Sequence, residues 1–376
     1  MALNNITFNK NANGLGRPLA GKDHYSGMIY YGSTSSISTS WGSDEYNTFY
    51  SVSDAVDIGL TQGVFYNHIS EYFRMNDKGV LFCGVFATSG TAYDFSEATS
   101  LQNYAGGEIR QCLVISDQEF STSAVSALQT EATSLETAAR PTQFILEADF
   151  SGLTASSDLP SLRTTGQKNV SVVISKDTGV DNTAAGTLLG VVSKSKVSEN
   201  AGWVEKYNVQ SGTNYDNVEL ATSTGENLDD MTDSELEAIG NKGYITLRSF
   251  TDYNGVFFTD SYTTDLANSD FAYIENNRTI DKAVRNTRVT LLPDLNSPLT
   301  VNSDGTLSEP TIKYFQSKVE NVLQAMVNDS ELSAYSVTIN PEQDVLTTSE
   351  LTITLALVPI GVSRYITINI GFTASV

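Results

Sequence analysis

The sequence predicts an α/β fold, and three observations support this prediction. From about residue 26 to 250, short apolar segments suited to buried strands alternate with segments of helical periodicity. This alternation is typical of βα units around a largely parallel sheet. The chain of 376 residues exceeds what one hydrophobic core usually serves, so two or three folding units are expected. After residue 242 the pattern changes, which indicates a second unit in the last third.

The predicted elements of the first unit begin with a helix that Ser53 is suited to cap. Large apolar side chains share one face of this helix, namely Phe65, Ile69, Tyr72 and Phe73. Residues 24–27, before the helix, are interpreted as a loop, and Val80–Phe86, after it, as a buried strand. Three strands and two helices are then expected, the strands at 112–116, 143–148 and 170–175 and the helices at 122–139 and near 184–197.

Capping and turn signals predict the later elements. Thr232 and Glu235 form a capping-box pattern, and the helix that they begin is expected to end at Gly240. A turn at 252–255 separates two short strands. The predicted strands and helices of this last third are, in order, 243–248, 255–258, 271–289 and 310–328.

The C-terminal 26 residues hold a single charged residue, Arg364. Apolar and polar residues alternate over 351–358 and 365–373, which predicts two strands. The sequence between them, Pro359-Ile360-Gly361, favours a hairpin or a bent pair of extended segments. Uncharged strand edges recruit strands from other chains, so these strands are candidates for pairing between subunits. The alternative, that they join the sheet of their own domain, stays open at this point.

The charge balance excludes several classes of partner. The chain has 22 Lys and Arg against 44 Asp and Glu, and a net charge of −22 repels phosphate groups. Nucleic acid and anionic lipid are therefore not expected as partners. No apolar run is long enough to span a membrane, and the N-terminus lacks the apolar core of a signal peptide, so synthesis and folding in a bacterial cytoplasm are expected.

The N-terminus differs from the acidic remainder of the chain. Residues 1–22 contain Lys10 and two further basic residues but no acid. They are rich in Asn and Gly, and their few large apolar residues include Ile6 and Phe8. Such a segment is suited to ordering on a partner surface, and a frayed terminus is the alternative.

A second basic feature lies on the predicted helix 271–289. Four basic residues at spacings of four, three and three form a stripe, namely Arg278, Lys282, Arg285 and Arg288. This basic stripe requires an acidic partner unless it is simply a solvated face. A complementary acidic surface on a second copy of the chain would supply one.

The residues that usually carry chemistry are few. The sequence 16–23 fits a phosphate-binding loop except at Asp23, where the pattern requires Ser or Thr. His24 and His68 are the only histidines, and each lacks nearby residues for a metal centre or a catalytic triad. Cys83 and Cys112 lie in apolar runs and are expected to be buried. The sequence thus predicts no catalytic residue, metal site or cofactor.

The last third resembles the contractile tail sheath proteins of bacteriophages and related contractile injection systems. The resemblance is clearest over residues 240–376, plausible over 45–240 and weak over the first 25. It depends on an ordered series of segments rather than on one motif. These segments are Gly243-Tyr244-Ile245, Asn254-Gly255-Val256-Phe257-Phe258-Thr259-Asp260, Asp270-Phe271-Ala272-Tyr273-Ile274 and Asn277-Arg278-Thr279-Ile280-Asp281-Lys282-Ala283-Val284-Arg285, followed by the turn at 304–305 and the two closing apolar strands.

The resemblance implies a C-terminal core domain of α+β type with extended terminal β-arms, into which an outer α/β domain is inserted. It implies an N-terminal arm, an outer domain, a core domain and a C-terminal β-arm, which correspond here to residues 1–25, 26–241, 242–350 and 351–376. In that family the arms pair as strands with neighbouring subunits. The subunit-interface candidates are therefore Ile6, Phe8, Lys10, Arg278, Lys282, Arg285, Arg288, Ile353, Ile366, Ile368 and Ile370.

The function implied is structural. The expected protein is a sheath subunit that forms stacked hexameric rings around an inner tube protein and contracts to drive the tube through an envelope. Its expected partners are further copies of itself, the tube, and baseplate and tail terminator proteins, within a virion tail or a contractile particle. The alternatives are an α/β enzyme or ligand-binding protein that uses the crevice at the strand ends, and a baseplate or fibre component of the same machine.

Overall fold

The computed structural model describes residues 22–32, 41, 45–164 and 166–373. Its main sheet has seven strands in the spatial order β2-β3-β1-β4-β5-β6-β9, and every neighbouring pair is parallel except β2 and β3. The strands are β1 (Tyr25–Tyr31), β2 (Tyr46–Phe49), β3 (Val80–Phe86), β4 (Gln111–Glu119), β5 (Gln143–Asp149), β6 (Val170–Val173) and β9 (Tyr244–Ile245). A separate antiparallel pair is formed by β7 (Ser175–Asp177) and β8 (Val218–Leu220).

Six helices accompany these strands in the described chain. They are α1 (Val52–Asp57), α2 (Val64–Met75), α3 (Glu97–Tyr104), α4 (Thr122–Thr137), α5 (Ala185–Lys194) and α6 (Asp233–Asn241). The single helix predicted from Ser53 is in fact two, and Ser51 is the N-cap residue of the first. The predicted face of α2 is buried, and the Thr232–Glu235 capping box is present at the start of α6. The α/β fold class is thereby confirmed.

The central strand β1 is one of the elements that the sequence prediction missed. The interpretation of residues 24–27 as a loop is wrong, because Tyr25–Tyr31 lies between β3 and β4. Ser26 is fully buried, and its hydroxyl accepts a hydrogen bond from Gln111 at 2.9 Å. A Cβ at Gly27 would lie 2.9 Å from the Cys112 sulfur, so the close approach of β4 favours glycine there. Ser26 and Gly27 make this strand look like a loop in the sequence. In the fold, the neighbouring strand β4 provides a hydrogen-bond donor to Ser26 and leaves little room for a side chain at Gly27.

The last third forms a smaller unit with its own core. It begins after the hairpin of β10 (Leu247–Phe250) and β11 (Tyr253–Phe258) and contains α7 (Ile274–Leu291), α8 (Glu309–Asn328), β12 (Leu332–Thr338), α9 (Val345–Thr348) and β13 (Thr354–Pro359). The core that joins these elements contains Ala283, Val319, Leu323, Met326, Leu332 and Val337. Strand β12 was not predicted. The domain boundary at 241 and 242 stays a prediction, although β9, a strand of the main sheet, lies beyond it.

The two predicted C-terminal strands have different outcomes. The first is present as β13, which pairs antiparallel with β12 from Thr338 opposite Thr354 to Leu332 opposite Pro359. The alternative that it joins its own domain is therefore correct for this strand. The second, predicted over 365–373, is wrong for the single chain, because residues 360–372 belong to no strand of the described structure. An extended segment without a neighbouring strand has no ladder of hydrogen bonds to define it.

Candidate assembly surfaces

Arg278, the first residue of the basic stripe, is a buried residue of α7. Its guanidinium donates hydrogen bonds to the hydroxyl of Ser195 at 2.9 Å and to the carbonyl oxygen of Lys196 at 3.3 Å. Burial lowers the pKa of Arg278, with Asp23 and other acidic neighbours acting against the shift. Arg278 thus attaches α7 to the end of α5 in the same chain.

Lys282 and Arg285 find their acidic partners within the chain. The Lys282 ammonium lies 2.7 Å from Asp23 and 2.5 Å from Glu331, and Arg285 lies 3.0 Å from Asp23. Arg288, further along α7, is exposed. Asp23 and Glu331 thus supply the acidic partners of Lys282 and Arg285 from within the same chain. A contact between subunits at the stripe stays a prediction.

These groups form one cluster at the junction of the main sheet and the smaller unit. We call it the ionic joint, and its members are Asp23, Arg110, Arg278, Asp281, Lys282, Arg285 and Glu331. Burial would raise the pKa of Asp23, but the positive charges of Lys282, Arg285 and Arg278 outweigh it and the pKa is lowered. Asp281 is different, because burial raises its pKa to about 6 although Arg285 opposes the shift.

Arg364 attaches the C-terminal segment to the body of the same chain. Its Nε donates to Asp260 at 2.7 Å and one of its terminal nitrogens donates to Glu275 at 2.6 Å. The guanidinium lies over the ring of Tyr273, 3.5 Å from the centroid. The amide of Asn200 donates to both carboxylates. We call Asp260, Glu275, Asn200 and Tyr273 the Arg364 socket.

Residues 365–373, which follow Arg364, are exposed. Its large apolar side chains keep between 79 % and 110 % of their reference accessible surface, and they are Tyr365, Ile366, Ile368, Ile370 and Phe372. By contrast, Ile353 is partly buried against the core of the smaller unit. It also packs against a second apolar cluster, formed by Leu307, Phe315 and Ile339, so this predicted interface residue contacts its own domain. The predicted interface residues Ile6, Phe8 and Lys10 lie outside the described residues.

The crevice that an α/β enzyme would use is filled in the described part of the chain. The strand order reverses at β1, where ligands usually bind at the C-terminal strand ends. There Tyr31 stacks on Tyr93 with ring centroids 3.7 Å apart, and Phe95 packs edge-on against Tyr31. All three are buried, and the Tyr31 hydroxyl donates to Glu97 at 3.0 Å.

The histidine and cysteine side chains that were considered for chemistry are all buried. His68 is buried and accepts a hydrogen bond from the Gly186 amide at 3.1 Å, and its other ring nitrogen lies 3.7 Å from Glu147. Cys83 and Cys112 are buried and unbridged. Within the described ranges, no three His, Cys, Asp or Glu side chains come together in a way suited to a metal ion. No described helix has both the length and the apolar character needed to cross a bilayer.

Solved structures of contractile machines share this fold. The chain superimposes on a chain of the anti-feeding prophage baseplate with a TM-score of 0.66 at 16 % identity, covering 99 % of both chains. It superimposes on the contracted sheath complex of the extracellular contractile injection system PVC with a TM-score of 0.63 at 12 % identity, covering 100 % of this chain and 99 % of the other. For a sheath tail protein from Listeria innocua the TM-score is 0.54 at 10 % identity, with 91 % and 96 % covered.

Comparison of the sequence with protein families identifies one family for this chain. No curated protein matches the chain. Two family models match it, one described as DUF2586, N-terminal domain, over residues 3–262 and one described as DUF2586, C-terminal domain, over residues 270–376. The chain therefore belongs to the DUF2586 family, and its fold is that of the contractile tail sheath proteins.

Proposed function

We propose that this protein is a structural subunit of a contractile injection machine, and specifically a sheath subunit that polymerises around an inner tube. The shared fold with sheath and baseplate chains supports the proposal. In this proposal, rings of six subunits stack around the tube, and contraction changes the packing of folded bodies while linking segments keep the subunits attached.

The observation that carries the proposal is the exposed apolar segment after Arg364. An isolated chain rarely exposes a continuous series of large apolar side chains, and such a surface marks an interaction site. Its period-two pattern suits it to add a strand to another sheet. The described β12–β13 sheet has only two strands and so has open edges for that addition.

The occupant that we propose for these edges is the C-terminal segment of a second copy. Each subunit would then both donate a segment and accept one, which links copies in a continuous series. The N-terminal residues 1–22 are proposed to act as a second linking arm, on the basis of their basic and Asn-rich sequence. Their positive charge would attract them to the acidic body of a neighbouring subunit.

A second candidate function is a baseplate subunit. The similarity to a chain of the anti-feeding prophage baseplate favours it. Both candidates require assembly through exposed segments, but they differ in the number of copies per particle. A sheath subunit is repeated along the whole tube, whereas a baseplate subunit is confined to one end.

Electron microscopy of the purified full-length protein tests the proposal. We expect rings or tubes of uniform diameter, and monomers at high protein concentration would contradict it. Antibody labelling of intact particles then distinguishes the two candidates. Labels along the tail indicate a sheath subunit, and labels at one end indicate a baseplate subunit.

A further inference from the structure

We infer that the Arg364 socket is a fixed anchor, which holds residues up to 364 on the subunit body and leaves only the residues after 364 available to a partner. Arg364 is the one charged residue among residues 351–376. It lies five positions after the last residue of β13, Pro359. The inference states which part of the proposed arm is exchanged, but the anchor itself is a property of the single subunit.

The charges of the socket explain why Arg364 is held there. Asp260 and Glu275 are both buried, and among the described residues Arg364 makes their only ion pairs. Two buried carboxylates without a cation would destabilise each other and the folded chain. Burial, followed by the negative charge of Asp260, raises the pKa of Glu275. Among the described residues, the Arg364 guanidinium thus supplies the cation that pairs directly with both carboxylates.

The geometry of the socket is specific for a guanidinium. Arg364 donates from Nε and from a terminal nitrogen to Asp260, and that same terminal nitrogen also donates to Glu275. The flat face of the group stacks on Tyr273. A lysine has one rounded ammonium group and cannot make the paired contact and the stacking contact together. The socket therefore recognises this one residue of the C-terminal segment.

The anchor fixes the point at which the exposed residues 365–372 leave the body. Without it, the chain would be free from the end of β13, which adds five residues and about 17 Å of reach. A longer and looser tether lowers the effective concentration of the segment at a given neighbouring edge. The anchor therefore favours pairing with a neighbour at one defined distance.

Trypsin cleavage after Arg364 tests the anchor directly. Arg364 is the only Lys or Arg after Lys318 in the sequence. Cleavage after Arg364 therefore releases one short C-terminal peptide, which mass spectrometry can measure. A protease must bind the arginine side chain itself, which the socket would prevent. We expect dispersed full-length subunits to be cleaved at least about ten-fold more slowly than a synthetic peptide of residues 358–371. Equal rates would overturn the inference.

Two socket variants and a control complete the experiment. Glu275→Gln and Asp260→Asn should each increase cleavage after Arg364 by about ten-fold, whereas Asp294→Asn, which removes the acid of a surface pair with Lys318, should not. Arg364→Lys covers the case in which a socket variant fails to fold. This variant keeps a trypsin site. Compared with a synthetic peptide that carries the same substitution, its cleavage should be slowed less than cleavage of the unaltered protein is. Unchanged protection in this variant or in the folded socket variants would refute the anchor. Because no assembly is involved, the result does not depend on the proposed function.

Discussion

Arg285 donates a hydrogen bond to Asp23 at 3.0 Å, although the two residues lie 262 positions apart in the sequence. Asp23 stands just before the central strand β1, and Arg285 lies in the middle of α7. Lys282 contacts the same carboxylate one helical turn earlier. The ionic joint thus connects the main sheet to the smaller unit through side chains from the start of the described chain and from its last third.

Charge reversal in the ionic joint should destabilise the subunit itself. In Arg285→Glu, a second carboxylate would lie beside Asp23 in a partly buried site, and we expect a loss of about 3 kcal/mol in the free energy of unfolding. Thermal and urea unfolding of dispersed subunits measure this loss. Arg288→Glu is the matched control, because Arg288 is exposed on the same helix and should change stability little. Equal stability of the two variants would contradict the role of the joint.

Asp281 should make stability depend on pH between about 4 and 6. Its pKa is raised from 3.8 to about 6 in the folded chain, so the folded state binds its proton more tightly than the unfolded state. This contribution to stability is complete below pH 3.8 and is lost as pH rises through about 6. Asp281→Asn places an uncharged side chain there. The change that this substitution makes to the free energy of unfolding should be more favourable at pH 8 than at pH 4, by at most about 3 kcal/mol.

The comparison for Asp281 is the difference in unfolding free energy between the two proteins at each pH. Taking the difference removes the titration of all other groups that both proteins share. A difference that does not change between pH 4 and 8 would show that Asp281 has an ordinary pKa.

Removal of residues 1–21 should abolish assembly and leave a folded body. The truncation stops before Lys22 and Asp23, because these contact Glu108 and the ionic joint. We expect unchanged thermal unfolding and the absence of rings or tubes in electron micrographs. Unfolding of the truncated chain would instead show that the segment belongs to the core.

Ile368→Lys should block polymerisation while the subunit stays folded. Ile368 is 79 % exposed, so a lysine costs little in the single chain, but a charge would be buried when the segment joins another sheet. Thr367→Lys is the matched control, since alternate residues of a strand face opposite sides. Sedimentation and electron microscopy should show assembly for the Thr367 variant only. Assembly of both variants would argue against burial of the Ile368 face.

Elements with a local burial pattern can be predicted from the sequence. Strand β3 and helices α4, α5 and α8 were predicted close to their observed positions, because a continuous apolar run or a repeated apolar face reflects burial on the core. The capping box of Thr232 and Glu235 is likewise a contact between near neighbours in the chain. The alternation of apolar and polar residues over 351–358 likewise predicts β13.

The pairing of residues from distant segments depends on the folded chain. The position of β1 depends on Gln111 and Cys112 of a neighbouring strand, and the pairing of β13 depends on β12. The basic stripe was evident in the sequence, but its acidic partners, Asp23 and Glu331, come from distant segments. In the sequence Arg364 is an isolated charge, and only folding brings Asp260 and Glu275 next to it. Periodicity records which face of an element is buried, whereas charge pairing and strand pairing depend on segments that folding alone brings together.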